Sequence, residues 1–369
     1  MPDDPEYSMV TFVYRGDSET RNVLMVGGIA NVDFKNHQLT HLQGTDVWYK
    51  TYRIRSDARF TYTLSVNDPL EEPDASNRVA IMKRMAGFKR DPLNPKRFDA
   101  GMPGSVVELP KAPSNRWTVE DPQVPKGQVA KKPFESLIMK VSRPVTVYTP
   151  AGFDVKGAPY PLAIVFDGEV YTSFVPGPVI LDNLIANKAI PPVVAVFVHN
   201  SIVGRMKELG SSDAFVKFLA DELVPWMRQN YNATNDPAKT LVAGSSLGGL
   251  AAAFAAFRRP DVFGNVLSQS GSYWRPGPEG GQGEWLTGQY RAAQRLPVRF
   301  YLNVGLLEYT PTPGDGPTQV EVNRRMRDAL VAKGYKVRYR EVNGGHEYFS
   351  FRATFGEGLE ALFGRGSTD

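Results

Sequence analysis

The stretch TLVAGSSLGGLAAAFAAFRRP, residues 240–260, joins an apolar run to an alanine-rich run through a cluster of glycine and serine. "TLVAGSS" reads as a buried strand ending in a turn, and "LGGLAAAFAAFRR" as a helix with small residues on its packing side. Gly244, Ser246 and Gly248 have the spacing G-x-S-x-G. Between a buried strand and a helix, that spacing describes a nucleophile elbow. The serine takes a strained turn, the glycines allow close backbone approach, and the helix N-terminus offers N–H groups to negative charge. Ser246 has a glycine two residues away on each side and Ser245 does not, so Ser246 is the candidate nucleophile. A phosphate loop is excluded because no Lys-Ser/Thr pair follows the glycines.

The pattern repeats outward from the elbow. "YPLAIVFDG", "PPVVAVFVHN", "VFGNVLSQSG" and "VRFYLNVG" read as buried parallel strands, and "YKVRYREVNGG" as a last strand. Helical patterns lie between them. In "SSDAFVKFLADELVPWMRQNY", Phe215, Phe218, Leu219 and Leu223 share a face and Ser212 is the expected N-cap. "TQVEVNRRMRDALVAKG" is amphipathic and stops at Gly334. Alternation of this kind specifies an α/β fold, a mostly parallel sheet with helices on both faces. The catalytic domain is expected over 134–369, opening with a strand pair in "LIMKVSRPVTVYTP".

Upstream the style differs. "MVTFVYRG", "NVLMVGGI", "DVWYKTYRI" and "FTYTLSV" are short β-branched and aromatic runs between turn residues, and no useful helical period appears before residue 80. A small all-β sandwich of immunoglobulin type is expected over 1–110. Residues 111–133, rich in proline and polar residues, read as a linker or flap.

The chain of 369 residues has room for two domains, and its 42% hydrophobic and 22% charged residues suit a globular protein. No apolar run is long enough to span a membrane. "MPDDPEYSMV" lacks the succession of a signal peptide. Absent cysteines exclude disulfides, zinc thiolates and a cysteine nucleophile. The net charge of +4 is uneven. Residues 83–143 hold 13 basic and 6 acidic side chains, against 8 and 12 before them and 22 and 21 after. A basic segment attracts anionic partners. With no groove-reading motif or aromatic-interleaved basic sheet, nucleic acid is not expected; a solvated linker or a small anionic substrate is.

A serine nucleophile needs a base. Of four histidines, His37 and His41 precede the sheet and His199 ends a strand. His346, in "NGGHEYF" after the last strand, lies where this fold presents its base, in the order serine, acid, histidine. The acid then falls after "VRFYLNVG": Glu308 is the first carboxylate there, and Asp315 in "TPGDGP" is the alternative. Oxyanion donors are expected at Leu247 N–H and near Gly168 or Glu169, after "LAIVFDG". Asp167 reads as ordering that turn.

These residues resemble a known family. "TLVAGSSLGGLAAAFAAFRRPDVFGNVLSQSGSYW" closely resembles the elbow region of enterochelin (ferric enterobactin) esterases, within the esterase-D-like branch of α/β-hydrolases. "VFDGE", "RMKELG", "NVGLLE" and "GGHE" stand in the family's order, and "VTFVYRG", "LQGTDVWYKTYRI" and "DPLNP" resemble its immunoglobulin-like leading domain. The resemblance implies a cytoplasmic serine esterase that opens a catecholate siderophore trilactone, with Ser246 as nucleophile, His346 as base and Glu308 as acid. It implies no cofactor, since the iron belongs to the substrate. That substrate is small, anionic and aromatic, which makes Arg205, Tyr273 and Trp274 candidate binding residues; Arg205 can equally pair with Glu208 or another carboxylate. The fold and a similar leading domain also occur in carbohydrate esterases that remove acetyl or feruloyl groups, which stay open as an alternative.

Overall fold

Apolar runs without alternation specify strands covered on both faces. In the computed structural model, which describes residues 4–30, 36–71, 77–200, 204–311 and 316–364, five such runs lie side by side in an eight-stranded sheet. Its order is Lys336–Val342, Arg299–Gly305, Asn265–Gln269, Thr240–Ser245, Leu162–Val165, Val194–Val198, Val141–Thr149, Gln128–Ser136. The strands from Arg299–Gly305 to Val194–Val198 pair in parallel, and the last two pair antiparallel. The chain moves from Leu162–Val165 to a neighbour on one side, then crosses to Thr240–Ser245 on the other. In open α/β sheets ligands usually bind at the carboxyl ends of the strands beside such a reversal.

The chain divides into two units: one of residues 1–114, 305–310 and 342–350, the other of 115–304, 311–341 and 351–369. In the larger unit the helix Leu247–Arg258 is almost wholly buried, as its alanines and glycines allow. The expected cap is present, with Ser212 Oγ accepting from Phe215 N–H; the helix then passes through a π-helical turn at Leu219–Leu223 before Val224–Tyr231. The helix Gln319–Ala332 starts in a Thr318–Glu321 capping box, and Gly334 follows it at φ 74°. The opening strand pair differs from expectation. Residues 137–140 form its turn, so the partner of Val141–Thr149 is Gln128–Ser136, which reaches back into the stretch read as a linker. Residues 128–133 are exposed at the sheet edge, where Lys131, Lys132 and Pro133 deter further pairing. Those residues give an edge strand the composition of a loop.

The smaller unit is mainly antiparallel β structure. Tyr7–Arg15, Val47–Arg55 and Thr40–His41 form one sheet; Val23–Val26, Arg59–Val66 and Phe88–Lys89 form another, with Ser105–Glu108 also on Arg59–Val66. Phe12, Val23, Met25, Ile54, Phe60, Tyr62 and Val107 share its core. It also contains a helix, Arg78–Ala86, that the sequence pattern did not indicate. Val79 and Met82 are exposed, which erases the amphipathic signal. The helix is secured instead by the Asn77 cap and an ion pair of Arg84 with buried Asp68. Among the described residues no helix is long and apolar enough to cross a membrane.

Candidate active site

The strand Thr240–Ser245 is fully buried, and Ser246 leaves it at φ 58° and ψ −119°. An L-residue adopts such a backbone only when its surroundings enforce it. Ser246 N–H donates to Gln269 O at 2.8 Å, and Ser246 O accepts from Leu250 N–H at 3.1 Å and Ser272 N–H at 3.0 Å. A Cβ on Gly244 would stand 2.7–2.8 Å from the backbone of Gly248, and one on Gly249 would stand 2.5 Å from Ser268 Oγ. Gly248 itself has room for one, with its nearest neighbour 3.6 Å away. The turn is therefore enforced at Gly244 and Gly249. Ser245 is buried, whereas Ser246 is partly exposed.

Leu247 opens the helix after the serine, and Gly168 opens a short helix, Gly168–Ser173, after the adjacent strand. Val165 lies opposite Ala243 in the sheet, and Phe166 N–H donates to Ala243 O at 2.9 Å, so the two turns leave neighbouring strand ends. Among the described residues, neither Leu247 N–H nor Gly168 N–H has a hydrogen-bond partner. Asp167 is left-handed at φ 53°, as expected of a residue that orders the turn. Its carboxylate accepts from Arg205 Nε and Nη2, both at 2.7 Å, and its N–H donates to Asn200 Oδ1 at 3.1 Å. Asn200 Nδ2 donates in turn to Glu208 Oε2 at 2.7 Å, and Glu208 pairs with buried Arg143 at 2.6 Å. Arg205 thus pairs with Asp167 rather than Glu208, which Arg143 occupies. Glu169 is exposed.

One expected binding residue is corrected. Tyr273 is fully buried and its hydroxyl donates to Ser268 Oγ at 2.8 Å, so its ring is core and not a surface for substrate. Burial pushes its phenol well above the ordinary tyrosine range. Trp274 is half-buried, with the Arg275 guanidinium 5.4 Å from its ring centre. His199 Nε2 lies 2.8 Å from Thr146 Oγ1, and burial lowers its pKa.

The carboxylate and imidazole come together within the smaller unit. His346 Nδ1 lies 2.6 Å from Glu308 Oε2; the carboxylate is buried and the imidazole is 42% exposed. Gly305 N–H donates to Glu308 Oε1 at 2.8 Å. A Cβ on Gly305 would fall 2.3 Å from Gly344 O, so the two loops require glycine where they meet. Asp315, the alternative acid, lies outside the described residues.

The sequence reading passed over Glu347, although it directly follows His346. Its carboxylate accepts from Thr61 N–H at 2.9 Å, from the Thr61 hydroxyl, and from Ser350 Oγ at 3.2 Å. Burial pushes the Glu347 carboxyl up to about 7, the Glu308 charge adds to this, and the donated hydrogen bonds oppose it. Asn343 completes the seam: its carbonyl accepts from Arg59 N–H and its amide donates to Asp57 Oδ1, both at 2.8 Å.

A parallel sheet with a strained serine leaving a central strand at the topological switch is the framework of an α/β-hydrolase. Comparison with known proteins narrows the class. The family model described as "Putative esterase" matches residues 136–362, and "Enterochelin esterase, N-terminal" matches residues 9–118. The Iron(III) enterobactin esterase of Escherichia coli (strain K12) is 28% identical over 337 residues, which span 88% of this chain and 81% of that one. The Iron(III) salmochelin esterase of Escherichia coli O6:H1 is 29% identical, with 96% and 87% spanned. The crystal structure of the Shigella flexneri enterobactin esterase, determined in the presence of enterobactin, matches with a TM-score of 0.78 at 27% identity, covering 97% of this chain and 94% of that one. The chain belongs to this esterase family, in the form that carries the enterochelin esterase N-terminal region. It is a carboxylic ester hydrolase.

Proposed function

We propose that this esterase hydrolyses the ester bonds of a catecholate siderophore trilactone, free or as its ferric complex, and acts in the cytoplasm. The observation that carries the reading is likeness to enterobactin and salmochelin esterases over both regions of the chain. Ser246 Oγ attacks the ester carbonyl while His346 takes its proton. Glu308 holds the imidazole by Nδ1 and stabilises the imidazolium. The oxyanion rests on the N–H groups of Leu247 and of the Gly168–Glu169 turn. His346 returns the proton to the departing alcohol, and water then resolves the acyl-enzyme by the reverse steps. Trp274 offers an aromatic face to a catechol ring. The basic segment 83–143 favours an anionic substrate.

Chromatographic assay of enterobactin, ferric enterobactin and a feruloyl oligosaccharide tests the substrate. Turnover of a catecholate ester at least about tenfold faster in kcat/KM than the feruloyl ester is expected. The opposite preference would replace the substrate while leaving the reaction. Failure of a fluorophosphonate probe to label the folded protein would overturn both.

A further inference from the structure

The loop after the strand Asn265–Gln269 is held by buried polar side chains that the mechanism above does not use. Gln319 Nε2 donates to the carbonyls of Ser270 and Gly271 at 2.5 and 2.8 Å, and Asn323 Nδ2 donates to Gly271 O at 3.0 Å. Ser270 is left-handed at φ 47°, and its N–H donates to Asn303 O at 2.7 Å. Tyr273 closes the far side through Ser268. The buried amide donors of Gln319 and Asn323 are thereby engaged, as burial of such groups requires. They converge on Ser272, which is itself buried. Its N–H donates to the carbonyl of Ser246 at 3.0 Å, and its Oγ lies 3.3 Å from Ser246 Oγ. Among the described residues, Ser246 Oγ is the one hydrogen-bond partner of the Ser272 hydroxyl.

We infer that Ser272 is a further catalytic residue, whose hydroxyl donates a hydrogen bond to Ser246 Oγ as that oxygen gains charge. The inference rests on Ser246 being the nucleophile. The resting separation of 3.3 Å exceeds the usual hydroxyl–hydroxyl distance of about 2.8 Å, so the neutral contact is slack. A hydrogen bond to an anionic oxygen shortens to roughly 2.6 Å and strengthens. A contact that tightens only as charge develops accelerates the step in which it does so.

The two halves of the reaction use this contact unequally. Acylation starts from the free serine, where the contact already exists and part of its strength cancels. Deacylation starts from an ester whose bridging Oγ is a poor acceptor. After water has added, the bond between the carbonyl carbon and Oγ breaks, and its electron pair passes to Oγ. The His346 imidazolium then supplies the proton to Oγ. Ser272 keeps its own proton and stabilises Oγ while the charge is on it. Deacylation therefore gains more from Ser272 than acylation does.

Acyl-enzyme formation and decay with p-nitrophenyl acetate can be followed separately by rapid quench and intact mass. Ser272→Ala is expected to slow decay about tenfold and formation less than about threefold, a net hydrogen bond's worth of rate. Steady-state kcat and KM should then fall together, which a general loosening of the loop would not produce. Ser272→Cys, a weaker donor of similar shape, should fall between, and it serves if the alanine variant does not fold. Decay unchanged within about twofold in the folded variants, or formation slowed as much as decay, would overturn the role. Acyl-enzyme that still forms in Ser246→Ala would instead remove the nucleophile assignment on which the role rests.

Discussion

The larger unit holds its candidate nucleophile by backbone, whereas the smaller unit holds its candidate base by side chains. Ser246 sits at the end of a buried strand, in a turn set by Gly244 and Gly249 and tied to Gln269 and Ser272 through main-chain groups. None of those restraints can titrate. His346 is placed by the Glu308 carboxylate, and its loop is fastened through Glu347, Thr61, Asn343 and Asp57. Three of those groups are acids. The nucleophile should therefore respond to added bulk, and the base to charge and pH. The 305–310 and 342–350 loops, which carry Glu308 and His346, group with the N-terminal β region in one unit.

Removing the nucleophile is the largest perturbation. Ser246→Ala is expected to lower kcat by about 10⁶-fold on a nitrophenyl ester and to abolish fluorophosphonate labelling, with circular dichroism unchanged. Labelling that persists would transfer the role to another serine. Glu308→Gln keeps the shape and removes the charge, so kcat should drop about 10⁴-fold with KM little altered. A loss under about tenfold would free His346 of its dependence on this carboxylate.

Bulk at the elbow comes next. Gly249→Ala places a methyl 2.5 Å from Ser268 Oγ and should lower Tm, while Gly248→Ala, with its nearest contact at 3.6 Å, should be much milder. Equal thermal shifts in the two variants would break the claim that the turn is set at Gly244 and Gly249. Asp167→Asn keeps one acceptor for Arg205 but weakens a bidentate pair that shapes the Gly168 turn. A loss in kcat of about tenfold with KM unchanged is expected, measured by steady-state kinetics. A rise in KM alone would make Arg205 a substrate contact and not a restraint on the turn.

The smallest effect is the most diagnostic of the smaller unit. The Glu347 carboxyl stands at about 7, above its ordinary 4.5. Between those values the folded chain keeps a proton that the unfolded chain has released. The stability this contributes is complete below the ordinary value and is lost as pH rises through about 7. Glu347→Gln cannot titrate, so the difference in Tm between variant and wild type should grow in the variant's favour from pH 5 to pH 8. A constant difference across that range would show that Glu347 ionises normally. Ser246→Ala, which removes no titrating restraint, should shift Tm equally at both ends.

How far the sequence could be read follows from the same contrast. The strand–turn–helix at the elbow and the buried strands were legible because each is written locally, as apolar runs, periodicity and glycine spacing. The strand over 128–133 and the helix Arg78–Ala86 were not, because an edge strand guarded by lysines and a helix with exposed valine and methionine carry the composition of loops. Tyr273 was misjudged for a related reason: an aromatic residue near the elbow has the same sequence signature whether it faces substrate or, as here, Ser268 in the core.

By itself the sequence determined the α/β architecture, the candidate nucleophile and the kind of chemistry its spacing permits. Those depend on backbone strain and hydrophobic period, which act over a few residues. Only the tertiary structure decided that Arg205 belongs to Asp167, that Glu347 fastens the His346 loop to Thr61, and that Ser272 stands against Ser246. These pairings join positions from 26 to 286 residues apart along the chain. Partners at such distances are chosen by folding, since burial leaves each polar group only the neighbours that packing brings to it.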